Sequence, residues 1–186
     1  IRNLLSITML AAVLSAFPAK SFAQAAAAPV SSYTVDELQD LVGPIALYPD
    51  DVLAVLLPAA TYPLQIVAAQ RFLGTNPGEN DEPAEDWDPT VIAMLNYPEA
   101  LALLSEDLEW TATLGDAVLA QENDVLEAIE RFRDAAWLAG NLESNERQTV
   151  VRSAESIEIL PVEPDVVYLP YYDPATVIVR QPRPVV

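Results

Sequence analysis

Two hydrophobic periods run along this chain, one helical and one alternating, after an apolar segment that has neither. That first segment, Leu4–Phe17, follows Arg2 and leads into Ser21-Phe22-Ala23, with small residues at the two positions a signal peptidase reads. A basic residue, an apolar run and a small-residue site make a secretory signal peptide, here with cleavage after Ala23. At 14 residues the run reaches about 21 Å as a helix, short of the roughly 30 Å hydrocarbon core. No membrane insertion is therefore expected once the signal is removed. Residues 24–33 are Ala-rich and patternless, and read as a flexible linker.

The helical period begins at Thr34. Thr34 and Glu37 are spaced as a capping box, and Leu38, Leu41, Val42 and Ile45 follow on one face. Further starts are marked by Tyr48-Pro49, Tyr62-Pro63 and Tyr97-Pro98, because proline suits a first helical turn, where its missing N–H has no partner to lose. Asp88-Pro89 is the same device with a better cap and opens Thr90–Leu95, while Asp50 and Asp51 fall in a first turn, where the helix dipole favours acids. The strongest signal spans Thr111–Leu138. Leu114, Val118, Val125, Ile129, Phe132 and Ala136 share a face there, and Glu127 and Arg131 are spaced to pair. The polar patch Gln121–Asp124 is a place for this stretch to break, and Gly140-Asn141 is a stop.

After Asn141 the period shortens to two. Thr149–Val151 and Ile157–Ile159 predict a hairpin, and Val166–Leu169 and Thr176–Val179 predict two more short strands. Prolines 161, 164, 170 and 174 keep all of these short. The expected fold is mainly α: a multi-helix bundle over 34–142 with a small C-terminal antiparallel β element (α+β). That β tail, 143–180, packs on the bundle, and the Pro-rich end 181–186 reads as truncated.

Charge and residue alphabet narrow the roles. The chain carries 28 acids against 9 basic residues, and losing Arg2 and Lys20 with the signal takes the formal charge from −19 to −21. Such a surface repels nucleic acid and anionic lipid. There is no His and no Cys, and Lys20 is the sole lysine. Histidine triads, thiol nucleophiles, Schiff-base lysines and standard zinc sites are closed, and no Gly-rich phosphate loop is present. Without disulfides, stability must come from a core.

Several ordered segments carry a resemblance: Pro44–Asp50, Thr61–Pro63, Trp87–Pro89, Trp110-Thr111, Leu114–Ala117, Gly140–Leu142 and Val166–Pro174. Together they resemble the bacterial family known as domain of unknown function 3300, over roughly 35–179. The resemblance implies an exported protein and a domain extent; it supplies no activity, cofactor or catalytic residue.

Three chemistries stay open. Paired carboxylates suffice for glycan cleavage, and Asp50, Asp51, Asp88 and Asp116 are the acids nearest the motif segments, although caps and first turns account for them more simply. The loop acids Glu79, Asp81, Glu82, Glu85, Asp86 and Asp88 are dense enough for a weak Ca²⁺ site, with Asp81, Glu82, Glu85 and Asp86 as its core, but they are out of register with an EF-hand. No other cofactor is expected. Trp87, Trp110 and Trp137 adjoin helix ends and read as core plugs. Tyr168, Tyr171 and Tyr172, set among prolines and short strands, suit partner capture by strand addition. The expected role is a non-catalytic periplasmic or cell-envelope module that meets an envelope protein or cell-wall polymer. The alternatives are a carboxylate-dependent glycan-cleaving enzyme and a Ca²⁺-stabilised surface protein.

Overall fold

The structure, a computed structural model, describes residues 32–78, 81–154, 156–163 and 166–180. The expected signal peptide, most of the linker, Glu79 and the Pro-rich end lie outside the described residues. Helix α1 (Val35–Val42) opens with a reciprocal cap: Glu37 N donates to Thr34 Oγ1 (3.3 Å) and Thr34 N donates to Glu37 Oε2 (2.8 Å). Two donors that a helix start leaves open are thereby satisfied. The inward face, Leu38 and Val42, is buried.

Helices α2 (Asp50–Ala59), α3 (Pro63–Gly74), α4 (Pro89–Met94) and α5 (Pro98–Glu106) follow. In α3 and α5 the tyrosine is the cap residue and the proline takes the first helical position. The first Tyr-Pro differs, because α2 starts one residue later and Pro49 is its cap residue. The reason lies across the core. The Tyr48 carbonyl accepts from Arg133 Nη2 (2.9 Å), so the first helical bonds fall to the Pro49 carbonyl instead.

Helix α6 (Leu108–Ala139) leaves helical geometry at Gln121 (φ −147°, ψ 47°), within the polar patch. The Gln121 amide also accepts from Tyr33 N (2.6 Å) and donates to Tyr33 O (3.3 Å), clamping the chain where it enters the fold. Tyr33, assigned to the flexible linker by composition, is thus held. The helix ends at Gly140 in the left-handed region (φ 78°), which costs glycine little. The α1 helix lies along α6, α2 against α4, and α3 against α5, around one core that includes Leu56, Ile66, Met94, Leu101, Leu114 and Phe132.

Strands β1 (Gln148–Arg152) and β2 (Ile157–Pro161) form an antiparallel hairpin, with Val150 opposite Ile159 and Arg152 opposite Ile157. Ile157 and Ile159 point into the core. Mainly α with a small antiparallel β element is therefore the architecture. Two expected strands are absent. Thr176–Val179 instead overlaps a short helix, α7 (Pro174–Val177), whose cap is Asp173 accepting from Ala175 N (2.9 Å). The Asp-Pro start outweighs the β propensity of Thr-Val-Ile-Val, as it does at Asp88-Pro89, where Asp88 Oδ1 accepts from Thr90 N (2.9 Å). Val166–Leu169 has one isolated bridge, Glu163 to Val166, and no ladder.

Close packing of α6 on the end of α2 requires Gly115. A Cβ built there would lie 2.4 Å from the Ala60 carbonyl oxygen, closer than any contact allows. Gly115→Ala is expected to lower the melting midpoint by about 2–10 °C, as overpacking against backbone cannot be relieved by a rotamer change. Gly74→Ala has nothing within 4 Å of the new methyl and should hold or slightly raise the midpoint, by the reduced freedom of the unfolded chain. Thermal melts of the two variants check the opposite signs.

The Asp88 carboxyl is held below the usual carboxylate range, chiefly by its hydrogen bonds to the Thr90 hydroxyl and amide. A depressed folded pKa contributes stability above the ordinary Asp value and loses it as pH falls through the folded one. Asp88→Ala should therefore lower the melting midpoint at pH 7, with the gap from the wild-type protein closing as pH drops below about 4. A gap that stays constant with pH would refute this account.

Candidate interaction site

The site begins with a buried turn. Between α1 and α2 the chain runs through Gly43–Pro49 without regular structure, yet Ile45, Ala46 and Leu47 are buried. Buried backbone polar groups must find partners. Two side chains supply them. Arg133, from the second half of α6 and 2% exposed, donates from Nε to Ala46 O (2.8 Å), from Nη2 to Tyr48 O (2.9 Å) and from Nη1 to Ile157 O (2.7 Å). Its Nη1 also lies 2.6 Å from Asp50 Oδ1, which balances the buried charge. Asp50 thus sits in the first turn of α2 without capping it; its carboxylate belongs to Arg133.

Tyr172 is the second partner. Its hydroxyl accepts from Leu47 N (3.0 Å) and donates to Gly43 O (2.8 Å), and its ring packs beside Phe132. Burial pushes that hydroxyl far above the ordinary phenol range. Tyr172, expected as a partner-binding residue, is an internal anchor. Asn141 fixes the same tail further on, its Nδ2 donating to Val177 O (2.7 Å) and Val179 O (3.0 Å).

The other two tyrosines face outward. Tyr171 is 100% exposed, and Tyr168 is half-exposed with the Arg147 guanidinium 4.5 Å from its ring centre. Between them and the core anchors, Val166–Leu169 is a ridge separating two open clefts. One, about 590 Å³, is lined by Asn96, Tyr97, Pro98, Glu99, Val166, Val167 and Leu169. The other, about 230 Å³, is lined by Glu146, Arg147, Val162, Glu163 and Tyr168, with Val166 and Val167 shared. Among the described residues, no backbone group of Val167, Tyr168 or Leu169 makes a hydrogen bond. Sequence reasoning missed the clefts, since α5 supplies Tyr97 and Glu99 from some 70 residues upstream of the ridge.

The remaining candidates are scattered. Among the described residues no three acidic side chains converge to hold a metal ion, and Asp81 Oδ2 accepts from Gly78 N (2.7 Å). Glu82, Glu85 and Asp86 are exposed on the same loop. Asp51 and Asp116 are exposed on helices, and none of Asp50, Asp51, Asp88 or Asp116 lines either cleft. Trp87 packs edge-on against Phe72, and Trp110 Nε1 donates to Leu41 O (2.9 Å). Trp137 does not plug the core: it is on the surface under Arg152, whose guanidinium is 4.0 Å from its ring centre.

Tyr172→Phe keeps the ring and removes both hydrogen bonds, leaving two buried backbone groups bare. A loss of about 1–3 kcal/mol is expected in denaturant unfolding. Arg133→Lys should cost more, because a single ammonium cannot reach three carbonyls and a carboxylate in a planar fork. Equal stability of either variant with the wild-type protein would overturn the reading of this turn.

Comparisons with known proteins agree with the sequence resemblance. The family model described as "Protein of unknown function (DUF3300)" matches residues 34–180. A similar protein is the "Uncharacterized protein YacH" of Escherichia coli (strain K12), 30% identical over an alignment 185 residues long, gaps included, that covers 79% of this chain and 30% of that protein. The chain thus spans less than a third of the length of that relative. No solved structure matches. With the matched region running from the Thr34 cap to the tail that Tyr172 and Asn141 dock, this chain belongs to the DUF3300 family.

Proposed function

We propose that this protein is a non-catalytic module of the bacterial cell envelope, exported by residues 1–23 and working by contact through its C-terminal face. The observation that carries the reading is the ridge Val166–Leu169, whose Val167, Tyr168 and Leu169 have open backbone groups between two clefts. The residue alphabet supports it from the other side. With no His or Cys, and with Lys20 inside the signal, the domain has no imidazole, thiol or lysine amine and is left with carboxylates and hydroxyls for any chemistry.

A second reading rests on one feature. Glu146 and Glu163 come from different segments and line the same smaller cleft, and carboxylate-dependent glycan cleavage works through two acids facing one groove. Turnover of a wall polymer that disappears in both Glu146→Gln and Glu163→Gln would favour it over a contact role.

The contact reading is tested by capture from an envelope extract with the wild-type protein and with Tyr168→Ser/Tyr171→Ser, both side chains lying outside the core. The expected result is a discrete partner, protein or cell-wall polymer, retained by the wild type and depleted several-fold by the variant. Identical recoveries from the two would defeat the proposal.

A further inference from the structure

We propose that the larger cleft takes an extended, Lys/Arg-bearing peptide segment of another protein, which adds as a strand along Val166–Leu169. This rests on the contact reading above and names its partner class.

Val166-Val167-Tyr168-Leu169 is β-branched and aromatic, and its side chains alternate: Val167 and Leu169 pack toward the core, while Val166 and Tyr168 face out. It has the composition and side-chain alternation of a strand without a ladder; Val166 N donates to Glu163 O (3.1 Å), and the free N–H and C=O groups of Val167, Tyr168 and Leu169 are a template for an incoming strand.

The hairpin differs, since most outward groups along its two edges are capped or absent. On β1, Val150 N donates to Ser144 Oγ (2.8 Å) and Gln148 N to Asn145 Oδ1 (3.1 Å), while the Gln148 carbonyl accepts from Asn145 N (2.9 Å). On β2, Ile157 N donates to Glu130 Oε2 (2.8 Å), Ile157 O accepts from Arg133, and Pro161 has no N–H to offer. The fold thus blunts the edges of its only sheet among the described residues and leaves the ridge bare.

The larger cleft adds room and charge beside the ridge. Its volume, about 590 Å³, lies within the range of ligand clefts, and its far wall is Asn96, Tyr97, Pro98 and Glu99. Glu99 there, and Glu146 and Glu163 across the ridge, make no ion pair among the described residues, and Arg147, stacked over the Tyr168 ring, is the one cation lining the smaller cleft. Each cleft is left with a net negative charge, Glu99 in the larger and two carboxylates against one guanidinium in the smaller, on a chain of formal charge −19, which favours a cationic partner over an anionic one.

The test uses the purified protein and three synthetic peptides of about eight residues: alternating Lys and Val, alternating Glu and Val, and the Lys peptide with alternate backbone amides N-methylated. Binding is followed by fluorescence anisotropy at low and moderate salt, and amide hydrogen exchange of Val167–Leu169 is measured with and without the Lys peptide. The Lys peptide should bind, weaken several-fold with salt and with Glu99→Gln, and slow exchange along the ridge. The Glu peptide and the N-methylated peptide should bind at least tenfold more weakly. Equal binding of the N-methylated peptide overturns strand addition, since only backbone donors are lost; equal binding of the Glu peptide overturns the charge argument. If no peptide binds while capture from envelope extract still depends on Tyr168 and Tyr171, the peptide proposal falls and the contact reading stands. If that capture fails as well, both fall.

Discussion

The structure depends on the need to satisfy a buried turn. Gly43–Pro49 carries the chain between α1 and α2 through the core, where an irregular backbone would leave bare donors and acceptors. Arg133 answers from one side and Tyr172 from the other. The consequences spread. Arg133 takes the Tyr48 carbonyl and so sets where α2 begins; it takes the Ile157 carbonyl and so seats β2; its charge fixes Asp50. Tyr172 ties the C-terminal tail to the first turn of the fold, more than 120 residues away. Pro174 then rests against Gly43, with a Cβ at that glycine falling 3.1 Å from it. Helical body and C-terminal tail are one construction joined at this turn.

Much of this was legible in the sequence wherever the signal is local. Caps and proline starts are decided within four residues, so Thr34–Glu37, Asp88-Pro89 and the two later Tyr-Pro starts could be read directly. The break at Gln121 and the stop at Gly140 were likewise visible, as polar interruption and glycine. The failures have a common cause. Val166–Leu169 and Thr176–Val179 have strand composition, but a strand exists only if a neighbour supplies a ladder, and no local pattern reveals that. For the second of these a local signal did exist: Asp173-Pro174 matches the Asp88-Pro89 start.

The candidate site was legible only in part, for the same reason. That the tail tyrosines differ in role could not be seen, since Tyr171 and Tyr172 are neighbours in sequence and opposites in space. A period of two puts adjacent residues on opposite sides of an extended chain, so one ring is sunk into the turn and the next is in solvent. The Arg133 constellation left a trace, because a lone arginine on an otherwise apolar helix face, between Phe132 and Ala136, demands partners. Which partners those are follows only from the fold.

Charge and the open ridge bear on each other. An extended segment with unpaired backbone groups invites a second copy of the same chain to pair with it, the usual hazard of an exposed edge. Here both copies would bring Glu99, Glu146 and Glu163 to the contact, on bodies of formal charge −19. Those carboxylates lie beside the ridge itself, and self-pairing would press like charges together within the roughly 8 Å over which salt does not screen them. The acid excess therefore opposes pairing between copies while favouring any partner that arrives with positive charge. A neutral ridge would need a bulge, a proline in register or a covering loop to stay single, as the hairpin edges have Ser144, Asn145 and Pro161. On this chain charge does that work, which leaves the backbone groups open.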